Sequence, residues 1–284
     1  MAIFTNQATL SYQNVTTSSN VVTGEILDAL SVTKSAVTDR YVPGGDVTWA
    51  VSIRGTGPAT LTGLVLTDDL GAFPFGTGEL VPFRYREGSL VAFVNGAPVP
   101  APTVTSTQPL TVTGITVPAG GNVILLYETV ATEFAPRGIN GEVTNTVTVS
   151  GGGIQTPVSA TATVSPVAAP SLSITKAVAP TVVTENGVIT YTFVIQNLGN
   201  TEAVATDNVT VTDTFLPVLS GISVALNGQA LTDGVGYTYN ETSGAFSTVP
   251  GVITVPAASF TRNPESGVVE VTPGTVTLTV SGTV

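Results

Sequence analysis

The stretch VTNTVTVSGGGIQTPVSATATV, residues 143–164, reads as two strands around a glycine turn. Val143, Asn145, Val147 and Val149 alternate with Thr144, Thr146, Thr148 and Ser150, the period-2 pattern of a strand with one buried face. Gly151–Gly153 supplies the turn, and VSATATV (158–164) alternates back. The same pattern extends over the rest of the chain, where β-branched residues dominate, Gly, Pro and Asn punctuate, and no long run places apolar residues at helical spacing. The expected fold class is all-β, and 284 residues suffice for two tandem Ig-like sandwiches with their own cores.

A search for internal repeats supports two such domains. LSVTKSAV (30–37) matches LSITKAVA (172–179), and GLVLTDDL (63–70) matches NVTVTDTF (208–215). VAFVNGAP (91–98) resembles VALNGQA (224–230), each with an Asn-Gly pair suited to a tight hairpin. GITVPAGG (114–121) matches VITVPAAS (252–259), so the segments recur at a spacing of about 140 residues. The expected organisation is an N-terminal hairpin over 1–27, a complete sandwich over 28–165, the short stiff linker PVAAP (166–170), and a second sandwich over 171–284.

The two repeats differ at their ends. Repeat one runs through ILLYETVATEF (124–134) into the hairpin quoted above, whereas VTLTVSGTV (276–284) answers ILLYETVATEF and nothing answers the hairpin. Its layout reappears at the start of the chain, where FTNQATLSY (4–12) is followed by a polar turn, QNVTTSS (13–19), and by NVVTGEI (20–26). Asn6 precedes Lys34 by 28 residues and Asn145 precedes Lys176 by 31. The N-terminal hairpin is therefore expected to complete repeat two of another copy. An incomplete sandwich exposes an apolar groove and unpaired edges, and a donated strand gains ladder bonds and side-chain burial together. Phe4, Ala8 and Leu10 are the expected anchors, in the role that Val143, Val147 and Val149 play in repeat one. Such a head-to-tail contact closes into rings or runs on as a filament, and the short connection between hairpin and repeat one favours the filament.

Composition removes several function classes. Without Cys or His there are no disulfides, thiol nucleophiles, Ser-His triads or usual zinc sites. The formal charge of −11 argues against nucleic acid and anionic membranes. No apolar stretch is long enough to span a bilayer, and the N-terminus lacks a basic region followed by an apolar core, so the chain does not read as a secretory precursor. No cofactor or metal is expected, and no enzyme that turns over.

Lys34 and Lys176 are the only lysines. Alternation puts Lys34 in phase with Leu30 and Val32, Asp68 with Leu64 and Leu66, and Asn145 with Val143 and Val147, all toward the core. Lys176 and Asp213 repeat the pattern, and Asn6 matches Asn145. Such groups are costly in an apolar core unless they meet. Two readings are open: a buried salt bridge with an amide hydrogen bond, or a Lys–Asn isopeptide bond. Burial favours the neutral, nucleophilic amine and the protonated carboxyl. Held in contact, the amine attacks the Asn carbonyl while the Asp polarises it and shuttles protons.

The recurring TK, TD and TN in a Val/Thr-rich sandwich resemble the repeat of prokaryotic surface proteins catalogued as domain of unknown function eleven. The resemblance implies an extracellular, stalk-like or fibre-like role. The Lys/Asp/Asn trio also resembles the self-crosslinking domains of Gram-positive pilins and adhesins. That implies a bond from Lys34 to Asn145 assisted by Asp68, and one from Lys176, assisted by Asp213, to Asn6 of a neighbour. The expected function is a structural subunit of an extracellular filament, a pilus-like fibre or spore appendage, whose partners are copies of itself. The alternative is an adhesin or surface-layer module whose incomplete second domain binds a different protein.

Weaker signals complete the reading. Asp69 is out of phase with Asp68 and reads as solvated, while Glu128 reads as an inward carboxylate competing with Asp68. Asn14, Asn208 and Asn240 open N-x-T sequons that arise easily in a Thr-rich chain. Trp49, Phe73, Phe75, Tyr85 and Tyr191 read as core or corner residues, and the acidic turn at 39–46 holds no calcium-loop pattern.

Overall fold

The computed structural model describes residues 2–26 and 29–284, so the expected boundary between Leu27 and Asp28 lies outside the described residues. The chain is all-β, and its long strands pair antiparallel, while Asp233 and Tyr237 form an isolated parallel bridge. Its one short helical piece, among the described residues, is the 3-10 turn Ala205–Asp207.

The N-terminal hairpin comprises β1 (Ala2–Asn6), β2 (Thr9–Tyr12), β3 (Val15–Ser18) and β4 (Val22–Ile26). β1 pairs with β4 and β2 with β3; among the described residues none of the four pairs with a sandwich strand. The reversal is tighter than the seven-residue QNVTTSS turn read from sequence. Gln13 and Asn14 adopt φ of 46° and 63°, a two-residue turn, and Val15–Ser18 is already strand. A one-residue slip between the two ladders is stitched by Ser19, whose N–H donates to the Ala8 carbonyl (2.9 Å) and whose Oγ accepts from Ala8 N (3.0 Å). Ile3, Phe4, Leu10 and Tyr12 are all exposed.

The chain divides into two compact units. The first contains residues up to Ala135 and Glu142–Ser165, and the second Pro136–Gly141 and Pro166–Val284. Unit one holds β5 (Leu30–Ala36), β6 (Arg40–Tyr41), β7 (Asp46–Gly55), β8 (Leu61–Asp68), β9 (Phe73–Phe75), β10 (Gly78–Leu80) and β11 (Phe83–Tyr85). It continues through β12 (Val91–Val94), β13 (Ala97–Val99), β14 (Thr103–Thr107), β15 (Leu110–Val117), β16 (Asn122–Ala131), β17 (Val143–Gly151) and β18 (Val158–Pro166). One sheet runs β13-β12-β16-β7-β5 and the other β14-β15-β8-β17-β18-β6. Their inner faces interdigitate as the alternation requires: Val47, Trp49, Val51 and Ile53 of β7 are buried, as are Leu64 and Leu66 of β8.

Unit two repeats the five-strand path of the first sheet, without a counterpart, among the described residues, of β11, which in unit one pairs with β16. β19 (Leu172–Ala179), β20 (Val188–Asn197), β22 (Ser220–Leu226), β23 (Gln229–Ala230) and β28 (Gly274–Thr283) lie in the order β19-β20-β28-β22-β23. Asn227 and Gly228 turn at φ of 49° and 78°, just as Asn95 and Gly96 turn at 50° and 82°. The second sheet is shorter. β21 (Thr212–Thr214), β24 (Tyr237–Tyr239) and β25 (Ala245–Thr248) lie in the order β21-β25-β24, answering β8-β15-β14, and β26 (Ser259–Arg262) pairs only with β27 (Val269–Thr272). Among the described residues, nothing in unit two answers β17 and β18. VITVPAAS, matched in sequence to β15, contributes only an isolated bridge from Val255 to Ala203.

The PVAAP segment is held to unit two by side-chain amides. Asn200 Oδ1 accepts from Ala169 N (3.1 Å) and its Nδ2 donates to the Val167 carbonyl (3.0 Å), while Asn197 Oδ1 accepts from Ser171 N (2.9 Å).

Candidate functional site: two lysine–aspartate clusters

In unit one, Lys34 opposes Val51 in the β5–β7 ladder, and Tyr127 opposes Trp49 in the β16–β7 ladder. The lysine thus projects inward beside two aromatic rings, its Nζ 4.8 Å from the Trp49 ring centre and 5.7 Å from that of Tyr127. Asp68 closes β8 and meets it from the other sheet. Lys34 donates to Asp68 Oδ2 and to the Tyr127 hydroxyl (3.1 Å), Tyr127 donates to Asp68 Oδ2, and Leu70 N donates to Asp68 Oδ1 (2.8 Å). Both side chains of the ion pair are 0% exposed. Burial lowers the Lys34 pKa from its usual 10.5, outweighing the opposing pull of Asp68, and pushes the Tyr127 hydroxyl well above 10.0.

Asn145 completes the set by position. Val147 opposes Asp68 in the β17–β8 ladder, so Asn145, two residues away, shares the inward face of β17. β17 and β5 approach each other across the sandwich. Asn145 is 0% exposed, and neither its Oδ1 nor its Nδ2 has a hydrogen-bond partner. An amide buried this way costs about 1–3 kcal/mol for each unsatisfied group.

Unit two holds a parallel pair in a different setting. Lys176 donates to Asp213 Oδ2, and its Nζ lies 4.4 Å from the Tyr191 ring centre and 5.5 Å from those of Phe193 and Phe215. The two side chains are 40% and 18% exposed. β19 is exposed throughout, including Leu172 and Ile174, although its counterpart β5 buries Leu30. Lys176 opposes Phe193, which pairs with Leu278 as Val51 pairs with Leu125. That register puts Val280 where unit one has Tyr127. Asn6, Phe4, Ala8 and Leu10 are exposed on the hairpin.

Two secondary readings are corrected. Asp69 is not merely solvated: its Oδ1 accepts from Gly71 N (2.8 Å) and Thr146 N (2.9 Å), tying β17 to the turn after β8. Glu128 faces outward and pairs with Arg86 (3.3 Å), because alternation gives the inward place to Tyr127. Sequence reasoning missed that tyrosine, although the phase of Val123 and Leu125 already placed it inward. Trp49 and Tyr85 are core residues as read, and Trp49 Nε1 donates to Thr129 Oγ1 (2.8 Å). Among the described residues no helix is long and apolar enough to cross a membrane, and no group of three or more acidic residues could hold a metal ion.

No protein-family model matches the chain and no curated protein sequence matches it, so the resemblance to surface-protein repeats rests on the TK, TD and TN motifs alone. Solved structures give low similarities. The pilus backbone protein RrgB of Streptococcus pneumoniae is 10% identical at a TM-score of 0.34, with 86% of this chain matched but only 55% of that one. BcpA, the major pilin subunit of Bacillus cereus, is 12% identical at 0.35, covering 96% of this chain and 73% of that one. The collagen-binding subdomain of the Enterococcus faecalis surface protein ACE is 6% identical at 0.31, covering 49% and 99%. Similarities at this level carry no argument about function, which is read from the geometry above.

Proposed function

We propose that this chain is a structural subunit of an extracellular prokaryotic filament, a pilus-like fibre or spore appendage. The N-terminal hairpin of one copy completes the second sandwich of the next. The observation that carries this reading is the correspondence between what unit two leaves open and what the hairpin offers. In unit one, β17 and β18 follow β8 in the sheet; in unit two the sheet stops at β21 with Lys176 and the apolar face of β19 exposed and Asp213 half-buried. The β1–β4 half of the hairpin can be laid on β17–β18, with Asn6 opposite Val22 as Asn145 is opposite Ala162, while β2–β3 is offset by one residue. Each large apolar side chain buried by docking contributes roughly 1.5–3 kcal/mol.

The chemistry then follows from the clusters. The neutral Lys34 amine attacks Asn145 Cγ, the bond from Cγ to Nδ2 breaks, and Asp68 carries the proton from the attacking to the departing nitrogen. One amide forms and one ammonia leaves. A bond here relieves the burial of the unpartnered Asn145 amide. In the filament, Lys176 and Asp213 act in the same way on Asn6 of the neighbouring copy.

Intact mass of assembled protein, boiled and fully denatured, tests the reading. The expected result is a ladder of multimers that has lost one ammonia per crosslink, with Lys176 mapped to Asn6. A monomer lighter by one ammonia would confine the chemistry to unit one; a monomer of unaltered mass would leave both lysines as ion pairs. A chain lacking residues 1–27 is expected to stay monomeric. Assembly unchanged by that deletion would favour the adhesin reading.

A further inference from the structure

We infer that unit two receives the hairpin between two open edges, β21 on one side and the segment Thr181–Val183 on the other. This rests on the filament reading and specifies its interface. In unit one the corresponding hairpin is interior to its sheet, with β17 against β8 and β18 against β6. The counterpart of β6 in unit two is fixed by the turn that follows it. Gly45 N donates to the Val42 carbonyl and Gly187 N to the Thr184 carbonyl, both at 2.9 Å. Gly44 and Asn186 both adopt the left-handed conformation, at φ of 73° and 63°. Gly44 N donates to the Ala131 carbonyl (3.2 Å), and Asn186 N donates to that of Val284 (3.1 Å). Val182 and Val183 therefore stand where Arg40 and Tyr41 stand.

The two places differ in what lies beside them. β6 lies beside β18, Tyr41 is 2% exposed, and Ser165 N donates to the Asp39 carbonyl (2.9 Å). Val182 is 86% exposed, Val183 is 38% exposed, and neither belongs to a strand. Superposing the hairpin by its Asn6–Val22 pair on Asn145–Ala162 puts residue 25 at the place of Ser165. Its backbone N–H then points at the Thr181 carbonyl, and the last residues of β4 lie beside Val183 as β18 lies beside β6. Seated this way, the hairpin leaves neither long edge unpaired, which removes the exposed edges that promote lateral aggregation.

Amide hydrogen exchange, compared between assembled filament and isolated subunit, tests this directly. The expected result is that segments 208–213 and 181–184 both slow by about tenfold or more on assembly. Slowing of 208–213 alone would overturn the two-edge seat and leave the filament reading standing. Slowing of neither would overturn both. Glu25→Pro gives a second measurement: the N–H it removes is the one facing outward from the hairpin, where proline is tolerated. Multimer yield is expected to fall several-fold, and an unchanged yield would remove residue 25 from the interface.

Discussion

Asn145, buried with neither amide atom partnered, is the side chain on which the proposed crosslink depends. Replacing it by Ala is expected to abolish the ammonia loss in unit one and, by reopening a closed loop of about 110 residues, to lower stability by about 5 kcal/mol, as for a disulfide of similar span. Denaturant unfolding measures it. Formation of the bond should accelerate as pH rises toward the Lys34 pKa, which burial holds below 10.5, and level off above it, since only the neutral amine attacks. The uncrosslinked Asn145→Ala protein gives the thermodynamic side. Its folded Lys34 has a depressed pKa, so between that value and 10.5 the unfolded chain binds more protons and the Lys34 contribution to stability rises with pH. Tyr127 opposes this only above its usual 10.0, and Asp68 and Asp69 are the acidic groups acting on both. Tyr127→Phe removes a donor to Asp68 and should cost about 1 kcal/mol in the same unfolding measurement. The phases of Lys34, Asp68 and Asn145 were legible in the sequence because each sits in an unbroken apolar alternation. The tyrosine was not, because the carboxylate beside it looked like the better chemical candidate.

Among the elements, the hairpin shows what a free strand pair must carry within itself. Phe4 opposes Gly24 in the β1–β4 ladder, and its ring lies where a Cβ on Gly24 would stand. In unit one the same two places are filled by Val143 and Val164, both buried. One large and one absent side chain thus take the room of two valines. Gly24→Val is expected to displace the Phe4 ring and reduce multimer yield, read from the same denatured ladder, while leaving the bond inside unit one intact. The Asn-Gly turns and the paired long strands were legible because turn chemistry and period-2 alternation are local signals. The short β21 and the lone Val255 bridge were not, because a strand's length depends on neighbours that the local sequence does not describe.

At the scale of the molecule, the two units share one sheet order but differ in the sheet that faces it: among the described residues, β17 and β18 of unit one have no counterpart in unit two. The closed cluster, 0% exposed, and the open one, 40% and 18% exposed, differ in solvent access as well as in their third partner. Two-domain organisation was legible from the repeats. That residues 136–141 join the second unit was not, since nothing in their composition marks the exchange.

The placement of Lys34 also has a mechanical side. A pull along the chain enters unit one at β5 and leaves it at β18. A bond from Lys34 to Asn145 joins points close to the entry and exit, so tension passes through the bond and past the intervening strands. Stretching then cannot release those residues, whose contour at ~3.4 Å each would approach about 400 Å. A fibre built this way transmits load along a continuous line of covalent bonds, and its domains resist extension for as long as that line holds.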